Sequence, residues 1–381
     1  MWCKYHLMNS KKMYGFLVGM AFCVLLLGKP VLAQQVPLWY SFTDPKQELT
    51  GYKDGSGKVK IPAQFGGFTR AGIFRNIIAV TDPKTYKSYY LLKDGRAVAR
   101  DSTYVFDFTF DCEQEGKIRF RDPKTDKVGY LDRHGKVTIT DMYNDARPFY
   151  NGMAVVLYNG TRLCPDGSLY DVKHPCEHWS WTGITALIDT TGRVVVDSLD
   201  YNMLDHLNWY SLQISDQPAD TTFRDSFKAK DGCYYTFSNY EKEFKYWFYN
   251  NYLRNLAGKS GQHTFDLVSI EGLSGKPLRK SYSRKSFHAQ FQQVLIKKLA
   301  QIRPDNKDLQ IIPEELNYMI YTQTMYKPFY TDCGEANNAQ YPLFDVVISF
   351  GTGPRSYQER YSFLRTSAGW KLIEVTWKDL K

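Results

Sequence analysis

The chain has 381 residues, 43% hydrophobic and 23% charged, a balance that excludes intrinsic disorder and a multispanning membrane protein and leaves room for two or three domains. Its 29 Tyr, 23 Phe and 8 Trp favour β structure, where aromatic side chains pack well. The formal charge of +9 is dispersed, without the basic stripe or motif that nucleic-acid binding needs, so nucleic acid is excluded as a partner.

In chain order, Lys11 and Lys12 come first, followed by the uncharged run 13–28, then Lys29-Pro30 and the small-residue segment ending at Ala33. That is the secretory order of charged, apolar and cleavage regions. The run of 16 residues is shorter than the roughly 20 that an α-helix needs to cross a bilayer. Residues 1–33 are therefore read as a signal peptide cleaved after Ala33, with an uncleaved N-terminal anchor as the alternative. The expectation is a periplasmic or secreted protein with no transmembrane span in the mature chain. Cleavage removes four lysines and no acids, so the charge falls to +5. Five cysteines remain, Cys112, Cys164, Cys176, Cys233 and Cys333: too few for a disulfide-built scaffold, and odd in number.

Residues 34–214 repeat one phrase. Gly51 to Phe65 reads GYKDGSGKVKIPAQF, and Gly129 to Tyr143 reads GYLDRHGKVTITDMY. Weaker copies run from Tyr90 to Gly95, from Leu163 to Gly167 and from Ala186 to Val196. The turn glycines fall at 57, 95, 135, 167 and 192, at intervals of 38, 40, 32 and 25. Each phrase predicts a β-hairpin in which an alternating strand reaches an Asp-rich turn closed by glycine and a second strand leaves it. A third short strand follows in the better copies, Ile77 to Val80 and Met153 to Val156. One such unit cannot bury its apolar face alone, so neighbours must stack.

The pattern G-Y-x-D-x-x-G-K-x-x-I followed by an aromatic, together with F-x-x-G-x-A-x-V over Phe149 to Val156, resembles the WG (KWG) repeat of bacterial proteins over residues 45–205. The eponymous Trp-Gly pair is replaced by Val128-Gly129. The resemblance implies a β-rich repeat region that serves as an interaction surface and has no assigned catalytic centre.

Residues 215–232 turn polar and read as a linker, and 233–381 read as a second domain. Ser238 with Glu241 three residues on has the form of a capping box, and Tyr240, Phe244, Trp247, Phe248 and Asn251 follow at helical spacing. A second helix carries Phe287, Phe291, Val294, Leu295, Leu299 and Ile302 and stops at Arg303-Pro304. Alternation over 344–350, 357–364 and 371–377 predicts antiparallel strands. Helices followed by this terminal meander resemble the NTF2-like and cystatin-like fold. The expected architecture is thus a β-rich array of stacked antiparallel hairpins, then an α+β domain of helices packed on an antiparallel sheet.

Chemistry-bearing residues are sparse. His174, Cys176 and His178 project to one side of an extended segment, and with Cys164 they have the composition of a zinc site. The competing reading pairs Cys164 with Cys176 in a disulfide, since exported proteins oxidise their thiols. Asp205-His206 has the form of half a catalytic dyad, and equally that of a turn with a solvated His. His288, at the edge of the second helix, lines a pocket or packs at a helix margin. The cluster Lys276, Arg279, Lys280, Arg284 and Lys285 suits anionic lipid or polysaccharide, and Trp179, Trp181, Trp209 and Tyr210 suit stacking on a glycan or a protein. With no nucleophile motif and no cofactor motif, the sequence predicts a non-catalytic envelope binding protein whose partner is a protein or glycan. The alternative is an envelope enzyme acting on glycan or lipid, with its site in residues 233–381.

Overall fold

The computed structural model describes residues 37–378 apart from 68, 107, 273–277, 301, 354 and 355, so the leader read over 1–33 lies outside the described residues. Hairpins of the first half share one turn. Asp54 Oδ1 accepts from Ser56 N at 3.0 Å, Asp132 Oδ1 from His134 N at 2.8 Å and Asp189 Oδ1 from Thr191 N at 2.9 Å. These bonds form Asx turns. The closing residue has a φ of +87° at Gly57, +75° at Gly135 and +84° at Gly192, which only glycine adopts readily.

A second glycine in the two strong phrases is required by contact instead. Gly51 pairs with Phe42 and Gly129 with Phe120 on the preceding strand. A Cβ at Gly51 would stand 2.7 Å from the Phe42 ring and 2.6 Å from Ala63 N, and one at Gly129 would stand 2.7 Å from the Phe120 ring and 2.6 Å from Ile139 O. The ring closes over the glycine on one side while the third strand, irregular in register there, crowds it from behind. The tyrosine that follows acts alike in both copies: Tyr52 donates to Ala71 O at 2.9 Å and Tyr130 to Arg147 O at 2.7 Å.

Four small sheets result. They contain Trp39–Thr43, Thr50–Asp54, Val59–Phe65 and Ile73–Phe74; Ile77–Thr81, Ser88–Leu92 and Ala97–Val98; Lys117–Arg121, Val128–Asp132 and Val137–Tyr143; and Asp145–Ala146, Met153–Leu163, Ser180–Asp189 and Val194–Val196. Strand alternation stacks them. Ile78 and Val80 join Tyr52, Phe65 and Phe74 in one core, while Ile77 and Ala79 of the same strand join Tyr90, Ile118 and Leu131 in the next. Likewise Val155 and Leu187 face one core and Ala154, Val156, Ala186 and Ile188 another. The second, third and fourth sheets thus bury both faces.

Residues 215–232, expected as a linker, carry the strand Arg224–Lys228. It pairs with Tyr234–Asn239, which also pairs with Leu207–Ser215. Phe227, Tyr235 and Phe237 share a core with Val155 and Leu187, so this sheet packs on the array. Its turn repeats the hairpin geometry: Gly232 has a φ of +86° and its N–H donates to Ala229 O at 3.0 Å.

The expected C-terminal α+β domain is corrected. The protein is β-rich throughout, 46% strand against 14% helix, with several small sheets and three α-helices among the described residues, Tyr240–Trp247, Leu256–Lys259 and Arg284–Leu299. The strands Thr264–Gly272, Leu278–Ser283 and Leu309–Glu314 fall in stretches for which the sequence predicts no element. They complete a six-stranded sheet in the order Leu278–Ser283, Thr264–Gly272, Gly369–Trp377, Tyr357–Thr366, Leu343–Phe350, Leu309–Glu314. This sheet is mixed rather than antiparallel, because Thr264–Gly272 runs parallel to Gly369–Trp377. The irregular stretch 315–341 contributes Leu316, Tyr321, Tyr326 and Phe329 to the core against Leu343, Leu364 and Ile373. The first helix is capped by Asn239, whose side chain accepts from Lys242 N at 3.0 Å, instead of by Ser238, which lies in a strand. No helix among the described residues is long and apolar enough to cross a membrane.

Candidate functional site

The array and the C-terminal segment meet at a stapled seam. Cys112 and Cys333 form a disulfide across 221 residues of sequence. Beside it Arg75 donates to both carboxylate oxygens of Asp332, at 2.9 and 3.2 Å, and Ile73 N donates to Asp332 O at 2.9 Å. Glu113 accepts from Asn76 N and Ile77 N at 3.0 and 3.2 Å, which ties the first half of the staple to the adjoining sheet.

Along this seam runs a cleft of about 480 Å³, walled by Arg70, Tyr104, Phe110, Tyr150, Tyr318 and Glu335 among others. Its floor is rigid. Arg119 Nη2 donates to Asp111 Oδ1 at 2.5 Å, Nη1 to Ala146 O at 2.6 Å, and the guanidinium lies 4.0 Å from the centre of the Tyr104 ring. Arg70 Nη1 donates to Thr109 Oγ1 at 2.8 Å. Glu335 is half-buried and accepts no hydrogen bond at its carboxylate from the described residues; burial pushes its pKa up against the downward pull of Arg70. Burial likewise raises the Tyr150 phenol. Two exposed aromatics line the cleft: Phe106 on the small hairpin, 71% exposed, and Tyr318, 48% exposed. An open aromatic groove with a fixed guanidinium floor and a carboxylate that has no hydrogen-bond donor among the described residues can hold an extended ligand that supplies donors.

The residues singled out from sequence lie elsewhere. Cys164 and Cys176 are joined, with Cα atoms 6.0 Å apart, so neither offers a thiolate to a metal. His174 is bonded to Asp171 at 3.0 Å and, like His178, is exposed. Among the described residues no group of three or more His, Cys, Asp or Glu is placed to hold a metal ion. Asp205 pairs with Arg147 at 2.7 Å and His206 with Glu241 at 3.6 Å, so the two turn away from each other. His288 is half-buried against Thr264 Oγ1 at 2.9 Å; burial, and then the nearby Arg284, push its pKa down. Of the basic cluster, Arg279 pairs with Glu374 and Arg284 with Asp266, Lys280 lies 5.2 Å from the Tyr282 ring, and Lys276 falls outside the described residues. Trp209 is buried, whereas Trp179 and Trp181, edge-on to each other, both approach the Arg162 guanidinium, at 4.4 and 4.8 Å, on the long hairpin. The cleft residues Arg70, Tyr318 and Glu335 sit in segments without a motif. Their one sequence signal was the pair Cys112 and Cys333, neither of which had a local partner.

Residues 129–161 match the family model of the WG containing repeat. The match opens on Gly129, the glycine beneath Phe120, and runs through the hairpin turn and the strand from Met153. This part of the chain is a WG-containing repeat. No curated protein and no solved structure matches the chain.

Proposed function

We propose that this chain is an exported, non-catalytic binding protein of the bacterial cell envelope that holds a segment of an envelope protein or glycan in the seam cleft. The observation that carries the reading is the cleft itself, where Glu335 offers a carboxylate without a donor between aromatic walls. Hydrolysis of a glycan would ask for two cooperating carboxylates; of the other two lining the cleft, Asp111 is committed to Arg119 by an ion pair and Glu315 accepts from Asn338 Nδ2 at 2.9 Å. Export is supported by the secretory order of residues 1–33 and by the Cys112–Cys333 and Cys164–Cys176 disulfides, since disulfides persist in oxidising compartments.

The test replaces Tyr318 with a photo-crosslinking phenylalanine analogue in cells making the full chain. Irradiation is expected to give one discrete adduct in the envelope fraction, lost when Glu335→Ala is added. Adducts confined to the cytoplasm, or insensitive to Glu335→Ala, would refute the proposal.

A further inference from the structure

A second hollow, of about 350 Å³, lies beside the helix Tyr240–Trp247 and shares no residue with the seam cleft. Phe223, Tyr246, Trp247 and Trp370 line it, with Phe223 edge-on to Tyr246 at 4.8 Å and the two indoles 6.4 Å apart. Asn251 and His263 are also on its wall, and its charged pair is Glu243 and Arg365. Glu243 Oε1 accepts from both Arg365 Nε, at 3.0 Å, and Trp370 Nε1, at 3.2 Å. Arg365 Nη1 donates to Thr366 O at 2.9 Å. Among the described residues, Glu243 Oε2 therefore has no donor and Arg365 Nη2 no acceptor.

We propose that this hollow is a sugar site that takes one neutral pyranose ring of a glycan. A pyranose has an apolar C–H face, which suits the indole and phenol walls, and neighbouring hydroxyls that each donate and accept. One hydroxyl donates to Glu243 Oε2 while its neighbour accepts from Arg365 Nη2. The charges argue against other classes. A phosphate or sulfate would face Glu243, an ammonium would face Arg365, and a hydrocarbon would strip water from Oε2 and Nη2 without replacing it. An uncharged ligand with paired hydroxyls satisfies both ends of the ion pair and keeps its apolar face for the aromatic walls. The volume falls at the lower end of ordinary small-ligand sites, in keeping with a single ring.

The experiment is a tryptophan-fluorescence titration of the full chain with cellotetraose, maltotetraose and chitotetraose, because Trp247 and Trp370 report directly on the site. At least one sugar is expected to change the emission saturably, with a Kd of about 1 mM, as suits a contact of roughly a dozen heavy atoms. Tyr246→Ala, at a residue 48% exposed and so expected to keep the fold, should weaken binding, and Glu243→Gln should do the same. Tyr318→Ala, in the seam cleft, should leave it unchanged, so that failure here and failure of the cleft are told apart. No response to any of the three sugars up to about 20 mM, undiminished binding by a folded Tyr246→Ala, or saturable binding of inorganic phosphate or tetramethylammonium instead, would overturn the proposal.

Discussion

Gly51 and Gly129 carry the repeat more heavily than the turn glycines do. At Gly57 no atom lies within 4 Å of an added Cβ, so Gly57→Ala meets only the positive φ and should cost about 1 kcal/mol. At Gly129 the added methyl would meet Ile139 O at 2.6 Å, a backbone atom that cannot swing aside. Gly129→Ala should therefore cost clearly more, about 2–3 kcal/mol, and paired urea unfolding curves would show the order. Equal losses would mean that contact with the bulged strand is not what fixes this glycine. The turn glycines were legible in the sequence because their Asx chemistry is local. The need for Gly129 was visible only as recurrence, since its cause is a strand about ten residues downstream. Asp345 was not legible at all. It is 2% exposed in the middle of a sheet, and burial pushes its pKa up to about 6 although Arg360 lies 3.0 Å away. The folded state then holds a proton that the unfolded chain releases near pH 3.8, so stability present below that value is lost as pH rises through about 6. Asp345→Asn should remove this loss, gaining about 1–3 kcal/mol on wild type between pH 4 and 7. Urea midpoints across that range that run parallel would disprove the assignment. His288 works in the opposite direction: its lowered pKa makes stability fall as pH drops below the ordinary histidine value near 6.5. An NMR titration of its ring should give a midpoint below that value.

At the scale of elements, patterning and packing part company. Helical spacing put Phe287, Phe291 and Val294 on one stripe, but the helix Arg284–Leu299 buries Phe287, Leu295 and Leu299 fully, leaves Phe291 partly buried and exposes Val294 to 38%. Phe287→Ala should therefore cost about 3–5 kcal/mol, and Phe291→Ala distinctly less. Thermal unfolding of the two variants would reverse this order if Phe291 were the anchor. The strand Arg224–Lys228 escaped notice because its polar neighbours 215–222 resemble a connector. Yet Gly232 stands 40 residues after Gly192, the interval that separates Gly95 from Gly135, and closes a turn of the same kind. A period hidden by two shorter intervals is hard to extend from sequence, because only packing of Phe227 and Phe237 on Leu187 shows where the stack continues. The strands Thr264–Gly272 and Leu309–Glu314 were missed for a related reason. Beside its local partner Leu278–Ser283, Thr264–Gly272 pairs with a strand about 110 residues away, and Leu309–Glu314 with one about 35 residues away, and no local turn announces either long-range pairing.

At the scale of the whole molecule, the two disulfides between described residues do different work because they close loops of different length. Cys164 and Cys176 are 12 residues apart and staple one loop of a hairpin, whereas Cys112 and Cys333 are 221 apart and join the array to the segment that lines the far wall of the cleft. By loop entropy the first is worth about 3 kcal/mol and the second about 5 kcal/mol. The long closure has a further consequence that the short one lacks. With Cys112 and Cys333 replaced by serine, the seam keeps the Arg75–Asp332 pair, half of it solvent-exposed, and such pairs contribute at most about 1 kcal/mol. Arg70 and Tyr104 on one side would then no longer be held against Tyr318 and Glu335 on the other. The double variant Cys112→Ser/Cys333→Ser should unfold at a markedly lower denaturant midpoint and lose the Tyr318 photo-adduct, whereas Cys164→Ser/Cys176→Ser should lose stability modestly and keep it. If both pairs of variants retained the adduct equally, the walls would be held by packing alone and the staple would be irrelevant to the site. If both lost it, the cleft would depend on the stability of the whole array instead of on the tether at its edge.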